Sequence, residues 1–303
     1  MLPAASATST IVDASLQETL RASGQPMRSH ERAPLALVGA GLIAVYAPTV
    51  SWLIDRWTMS VWHNAHGMLI PFAVAYFAWL ELKPLAHVER QASPGGFAFL
   101  GVALVLHVLD TGMHTQILSA FSIVLALPGL SLLFLGAMRT RAIAFPLLFM
   151  VFMLPLPLVF TERIHLELRE MATFATAKII PLLGIGVFTE GTNLHLREGT
   201  LAVSDACSGF STLYASCAFA ALTAYTCNHW RGRVLALAAA VPVAIAANII
   251  RIVLLVLATR YLGIASLDTW IHPASGMLTF VLAIPAIMWL GRPAATPPVQ
   301  ALT

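Results

Sequence analysis

Three side chains able to do chemistry stand in otherwise apolar surroundings. They are Cys207 in Asp205-Ala-Cys-Ser-Gly209, Arg251 in Asn248-Ile-Ile-Arg251, and His272 in Trp270-Ile-His-Pro-Ala-Ser-Gly276. A thiolate is a strong nucleophile, an imidazole exchanges protons near neutrality, and a guanidinium donates to oxygen that is gaining charge. A thiol, an imidazole and a guanidinium at the mouth of one bundle predict acyl transfer through a thioester. Ser208, Gly209 and Asp205 flank the sulfur, and Asn248 shares the helix face of Arg251. Asn248 orients Arg251 or joins two helices, and both readings stand. His66 is read either as a substrate-facing or supporting group or as a solvated loop histidine. Arg251 has a competing reading as an interhelical clamp.

The elements that must position these groups are membrane spans. The chain has 303 residues, 58% hydrophobic and 10% charged, against roughly 25% charged in a soluble domain. A net charge of +3 is too small a surplus to argue for nucleic acid, because basic loops follow from membrane topology alone. Three cysteines, Cys207, Cys217 and Cys227, form no zinc spacing, and His107 and His114 lack a metal motif, so neither metal nor cofactor is expected. Apolar windows predict an all-α polytopic bundle of about eight spans, at residues 35–54, 64–82, 95–111, 115–136, 142–160, 209–227, 233–259 and 274–291. Residues 1–34 and 292–303 read as cytoplasmic tails around one membrane domain at 35–291, with no signal peptide.

Basic residues orient the bundle. Arg21, Arg28 and Arg32, Lys83 and Arg90, Arg139 and Arg141, Arg231 and Arg233, and Arg292 all fall on one side of the predicted spans, which is the cytoplasmic side. Both termini are then cytoplasmic, and segment 161–208, Cys207, Arg260 and His272 face outward. Within that segment, residues 162–174 carry apolar positions at helical spacing and predict an amphipathic helix on the membrane surface. Residues 187–203 alternate around Gly191 and Gly199 and predict a short β-hairpin delivering the chain to Cys207. The sixth span is expected to open at Ser208 or Gly209, so that the helix dipole favours an anionic sulfur.

Five motifs, Ala65-His-Gly67, Leu154-Pro-Leu-Pro157, Ala206-Cys-Ser-Gly209, Asn248-x-x-Arg251 and His272-x-x-x-Gly276, occur in an order that resembles the exosortase/archaeosortase family of membrane cysteine transpeptidase-like enzymes. The resemblance runs from about residue 60 to 290 and implies Cys207 as nucleophile, with Arg251 and His272 as its partners. It further implies that the substrate is a secreted precursor whose C-terminal sorting signal has a Pro-Glu-Pro-like motif, a transmembrane helix and a basic cluster. The acceptor is then water or an amine on a lipid or glycan, and the location a bacterial inner membrane with the site on its outer face. The competing classes are a transporter, which should show paired broken helices in two related halves, and a non-catalytic scaffold of an export system.

Overall fold

A computed structural model describes residues 29–58, 65–204 and 207–292. Two compact units divide the chain, Met1–Pro48 and Thr49–Thr303. Most of the expected N-terminal tail and nearly all of the C-terminal one lie outside the described residues. Helix α1 spans Ser29–Thr58 and α2 Ile70–Leu82, the latter flanked by 3-10 turns at Ala65–Leu69 and Lys83–Leu85. Next come α3 (Gly95–Met113), α4 (Ile117–Phe134), α5 (Gly136–Ala142) and α6 (Ala144–Phe149), the last running into a 3-10 turn at Met150–Met153. After α7 (Leu158–Ile179) and a small sheet, α8 (Phe210–Thr226), α9 (Trp230–Leu262) and α10 (Ile271–Leu290) complete the bundle.

The helical, polytopic class stands, but the count differs from eight. Among the described residues five helices are long and apolar enough to cross a bilayer: Ala65–Leu85, α3, α4, α9 and α10. The pair Gly136–Ala142 and Ala144–Met153, bent by 63°, makes a sixth if it is one span. The expected fifth span is thus broken. Pro146 suits the first turn of a fresh helix, and Pro155 and Pro157 stop the chain from continuing as a helix after Met153. Helix α8 has 17 residues, a rise of about 26 Å, short of the roughly 30 Å hydrocarbon core. For α1, the side chains of residues 29–36 and 38 are outside the described set.

The outer segment also departs from expectation in one respect. The amphipathic helix is present as α7, but the hairpin is a three-stranded antiparallel sheet in the order β1-β2-β3: Phe188–Glu190, Asn193–Leu196 and Gly199–Ala202. Each glycine punctuates its own two-residue turn. Glu190 pairs with Asn193 across Gly191-Thr192, and Leu196 pairs with Gly199 across Arg197-Glu198. Gly191 has φ +58°, the left-handed conformation such tight turns demand. Leu194 and Leu201 face each other in register. Both are buried in a cluster with Ile180, Ile252, Leu255 and Cys207, so one face of the sheet seals the bundle above the sulfur.

At the opposite end, small residues let the chain approach itself closely. A methyl group on Gly232 would lie 2.6 Å from the Gly291 carbonyl oxygen and 2.7 Å from the Cys227 sulfur. Nearby, an Arg139 Nη2 donates to the carbonyls of Leu85, Ala86 and Val88, which ties the basic ends of α2 and α5 together.

Candidate active site

Arg251 and Asn248 lie one turn apart on α9, 6% and 3% exposed. Their side chains serve different partners. Asn248 Nδ2 donates to the carbonyl oxygens of Cys207 (3.1 Å) and Ser208 (3.0 Å). The amide thereby clamps the backbone of the cysteine turn, at the start of α8, to α9. Gly209 makes the clamp fit. It has φ +80°, and a Cβ built there would stand 2.5 Å from Asn248 Cγ, so both conformation and space require glycine.

The cysteine sits in a turn of its own, its N–H donating to the Ser204 carbonyl at 2.8 Å. Helix α8 begins at Phe210 with Gly209 as its cap, slightly later than expected, which leaves Cys207 two residues ahead of the cap. The first helical N–H, from Phe210, goes to Ser208 Oγ at 3.3 Å. The sulfur's partner is instead the imidazole: Cys207 Sγ lies 3.1 Å from His272 Nε2. Cys207 is 3% exposed while His272 is half-buried and the adjoining Pro273 exposed, so the approach to the sulfur runs past the ring.

His272 is in the first turn of α10, where the missing N–H of Pro273 costs nothing. Ser275, one turn on, ties the histidine to the arginine. Arg251 Nε donates to Ser275 Oγ (3.0 Å), and Ser275 Oγ donates to the His272 carbonyl (2.7 Å). Gly276 lies against the guanidinium, a Cβ there being 3.7 Å from Nη2. An imidazole on the sulfur, with a buried cation joined to that histidine's backbone through one serine, is an arrangement fit for a nucleophilic thiolate.

The structure thus brings Cys207, His272, Arg251, Ser208, Gly209 and Asn248 together. His66 meets the ring of Tyr214 edge-on at 5.2 Å, one helical turn beyond Phe210, with both ring nitrogens buried, so it is not a solvated loop histidine. Asp205 lies outside the described residues. The other expected motifs support the same end of the bundle. Trp57 Nε1 donates to the Met153 carbonyl at 2.9 Å, and a Cβ on Gly67 would be 2.5 Å from that indole nitrogen. Tyr214 Oη donates to the carbonyls of Val151 and Leu154, which anchors the break before Pro155 to α8.

Two residues escaped the sequence reading. His165 on α7 has its Nδ1 2.7 Å from Ser208 Oγ, and its ring is 4.6 Å from that of Phe210. Ser275 is the other. Each had a weak signal, a histidine within an amphipathic pattern and a hydroxyl one turn from His272, and neither pattern alone specifies a contact. Among the described residues no cluster of histidine, cysteine and carboxylate groups could hold a metal ion.

A second thiol–imidazole pair provides a contrast. Cys227 Sγ is 3.2 Å from His229 Nδ1 at the far end of α8, but it also donates toward the Gly291 carbonyl at 3.3 Å. It caps a helix junction.

Comparison with known proteins returned one finding: the family model for transmembrane exosortases matches residues 57–289. Neither the curated proteins nor the solved structures gave a match.

Proposed function

The chain belongs to the transmembrane exosortase family, and from that membership and the geometry around Cys207 we propose a membrane-embedded cysteine transpeptidase or protease. It cleaves the C-terminal sorting signal of secreted precursors. The observation that carries this reading is the 3.1 Å approach of Cys207 Sγ to His272 Nε2, with the Arg251 guanidinium tied through Ser275 Oγ to the backbone of that histidine.

The Cys207 proton passes to His272 Nε2, and the resulting thiolate attacks the scissile carbonyl carbon. The C–S bond forms as the carbonyl π pair moves onto oxygen, and Arg251 donates to that oxyanion. One such donor in a low-dielectric site is worth about 2.7–4 kcal/mol. When the tetrahedral intermediate collapses, the C–N bond breaks and His272 returns its proton to the departing nitrogen. The thioester is then attacked by water, or by an amine on a lipid or glycan, with His272 taking the incoming proton and the thiolate leaving. Asn248, Gly209, Ser275 and His165 position these groups.

The site opens outward under this reading. Lys83, Arg139, Arg231, Arg233 and Arg292 flank the helix ends remote from Cys207, and basic residues favour the cytoplasm. The precursor's own transmembrane helix then brings its signal to the outer end of the bundle, in a bacterial inner membrane.

Co-expression with a precursor bearing a Pro-Glu-Pro-type C-terminal tail, followed by mass spectrometry of the mature C-terminus, tests the proposal. Wild-type protein yields a shortened product, its mass distinguishing free acid from conjugate, and Cys207→Ala yields only precursor. Full processing by Cys207→Ala sinks the assignment.

A further inference from the structure

Beside the sulfur lies a second feature, carried by the same helix. One face of α7 addresses the cysteine turn through His165 and Ala172. The adjacent face, with Glu170, Thr173, Phe174 and Lys178, forms one wall of a cleft of about 380 Å³ whose other wall is β1, including Phe188 and Thr189. That volume falls within the range of ligand sites.

Three observations indicate what fills it. First, β1 is the outer strand of the sheet. Along its outer side the backbone has no partner strand among the described residues, and such an edge accepts an extended chain by main-chain hydrogen bonding. Second, Thr173 is 2% exposed and its hydroxyl has no hydrogen-bond partner among the described residues. A buried hydroxyl without a partner is a liability to the folded protein alone, and it gains one when a ligand carbonyl or N–H arrives. Third, Phe174 and Phe188 stand 66% and 68% exposed at the rim, one from each wall, so a chain entering the cleft meets an aromatic ring on either side.

We infer that this cleft binds an extended stretch of the precursor polypeptide, added as a strand to β1, and that α7 connects that subsite to the cysteine turn. The inference rests on the proposed cleavage reaction for the identity of its ligand. Connection to the site is physical: Ala172, in the same buried cluster as Cys207 and beside Ser208 and Gly209, directly precedes Thr173, and Ala177 and Val187 line the cleft while packing against that cluster.

The test uses the full chain in membranes. A photoreactive phenylalanine analogue replaces Phe174, Phe188 or, as a control, Trp289, which is 68% exposed at the far end of α10. Each is combined with Cys207→Ala and co-expressed with the tailed precursor. Irradiation is expected to capture the precursor from positions 174 and 188 and not from 289. Absence of capture at both positions overturns the inference. Capture by itself needs no cleavage, so the two readings separate: capture with an uncleaved precursor in wild type leaves the subsite and sinks the chemistry, while cleavage without capture does the reverse.

Thr173→Val supplies a second readout. Filling the subsite by way of the hydroxyl predicts a KM for the tail raised about tenfold with kcat unchanged, the loss of one hydrogen bond to ligand. A hydroxyl idle in the complex predicts an unchanged KM and a higher melting temperature, and that outcome overturns the assignment of Thr173.

Discussion

Asn248 holds two carbonyls with one amide nitrogen, and this makes its substitutions informative. Alanine removes both donors and leaves two buried acceptors unpaired, a cost of about 1–3 kcal/mol for each group so exposed. Aspartate, nearly the same shape, points a carboxylate at the Cys207 and Ser208 carbonyls. Asn248→Asp is therefore expected to lose more activity and more thermal stability than Asn248→Ala, as measured by precursor cleavage and by melting in detergent; the opposite order would show that the amide is not a donor to the turn. Arg251 gives a similar contrast. Its Nε bond to Ser275 needs a planar guanidinium, so Arg251→Lys keeps the charge but loses the fork. Cleavage by the lysine variant is expected to fall at least about tenfold, the weight of one charge-assisted hydrogen bond. Near-normal turnover would show that charge alone suffices.

The elements differ in how much of them was legible in the sequence. Cys207, Arg251 and His272 could be read because a thiol, a buried cation and a histidine before proline are each costly or odd at the end of an apolar span, and topology placed all three at one end. Helix α7 was legible from its period. The sheet was half legible: Gly191 and Gly199 were visible as turn residues, but only the pairings Glu190 to Asn193 and Leu196 to Gly199 show that each closes a separate turn. The fifth span misled because an apolar window over 142–160 does not register that α6 ends before Pro155. His165 stayed hidden, since its bond to Ser208 Oγ depends on how α7 lies across α8. That contact predicts a role for α7 beyond covering the bundle. His165→Ala is expected to lower kcat several-fold with KM unchanged, and His165→Gln, which still reaches a hydroxyl, to restore part of it. If only the melting temperature moves, α7 merely packs.

At the scale of the whole molecule, the proposed reaction requires that the two ends of the bundle meet different compartments. Three contacts fix which residues share the far end: Arg139 with Leu85, Tyr225 with Glu81, and Cys227 with Gly291. The same end carries the arginines around Asn228, in the turn between α8 and α9, and the sheet lies at the other with the cysteine turn. Short basic loops favour the cytoplasm, so under the proposed reading the α8–α9 turn lies inside and the cysteine turn outside. Single cysteines at two exposed positions, Glu190→Cys on the sheet and Asn228→Cys in the α8–α9 turn, read this orientation directly in a protein whose Cys217 and Cys227 are serine and whose Cys207 is alanine. A membrane-impermeant maleimide applied to cells with a permeabilised outer envelope is expected to label the variant at 190 at once, and the variant at 228 only after the inner membrane is opened. Labelling in the reverse order would put the Cys207–His272 pair on the cytosolic face, where a precursor already exported could not reach it.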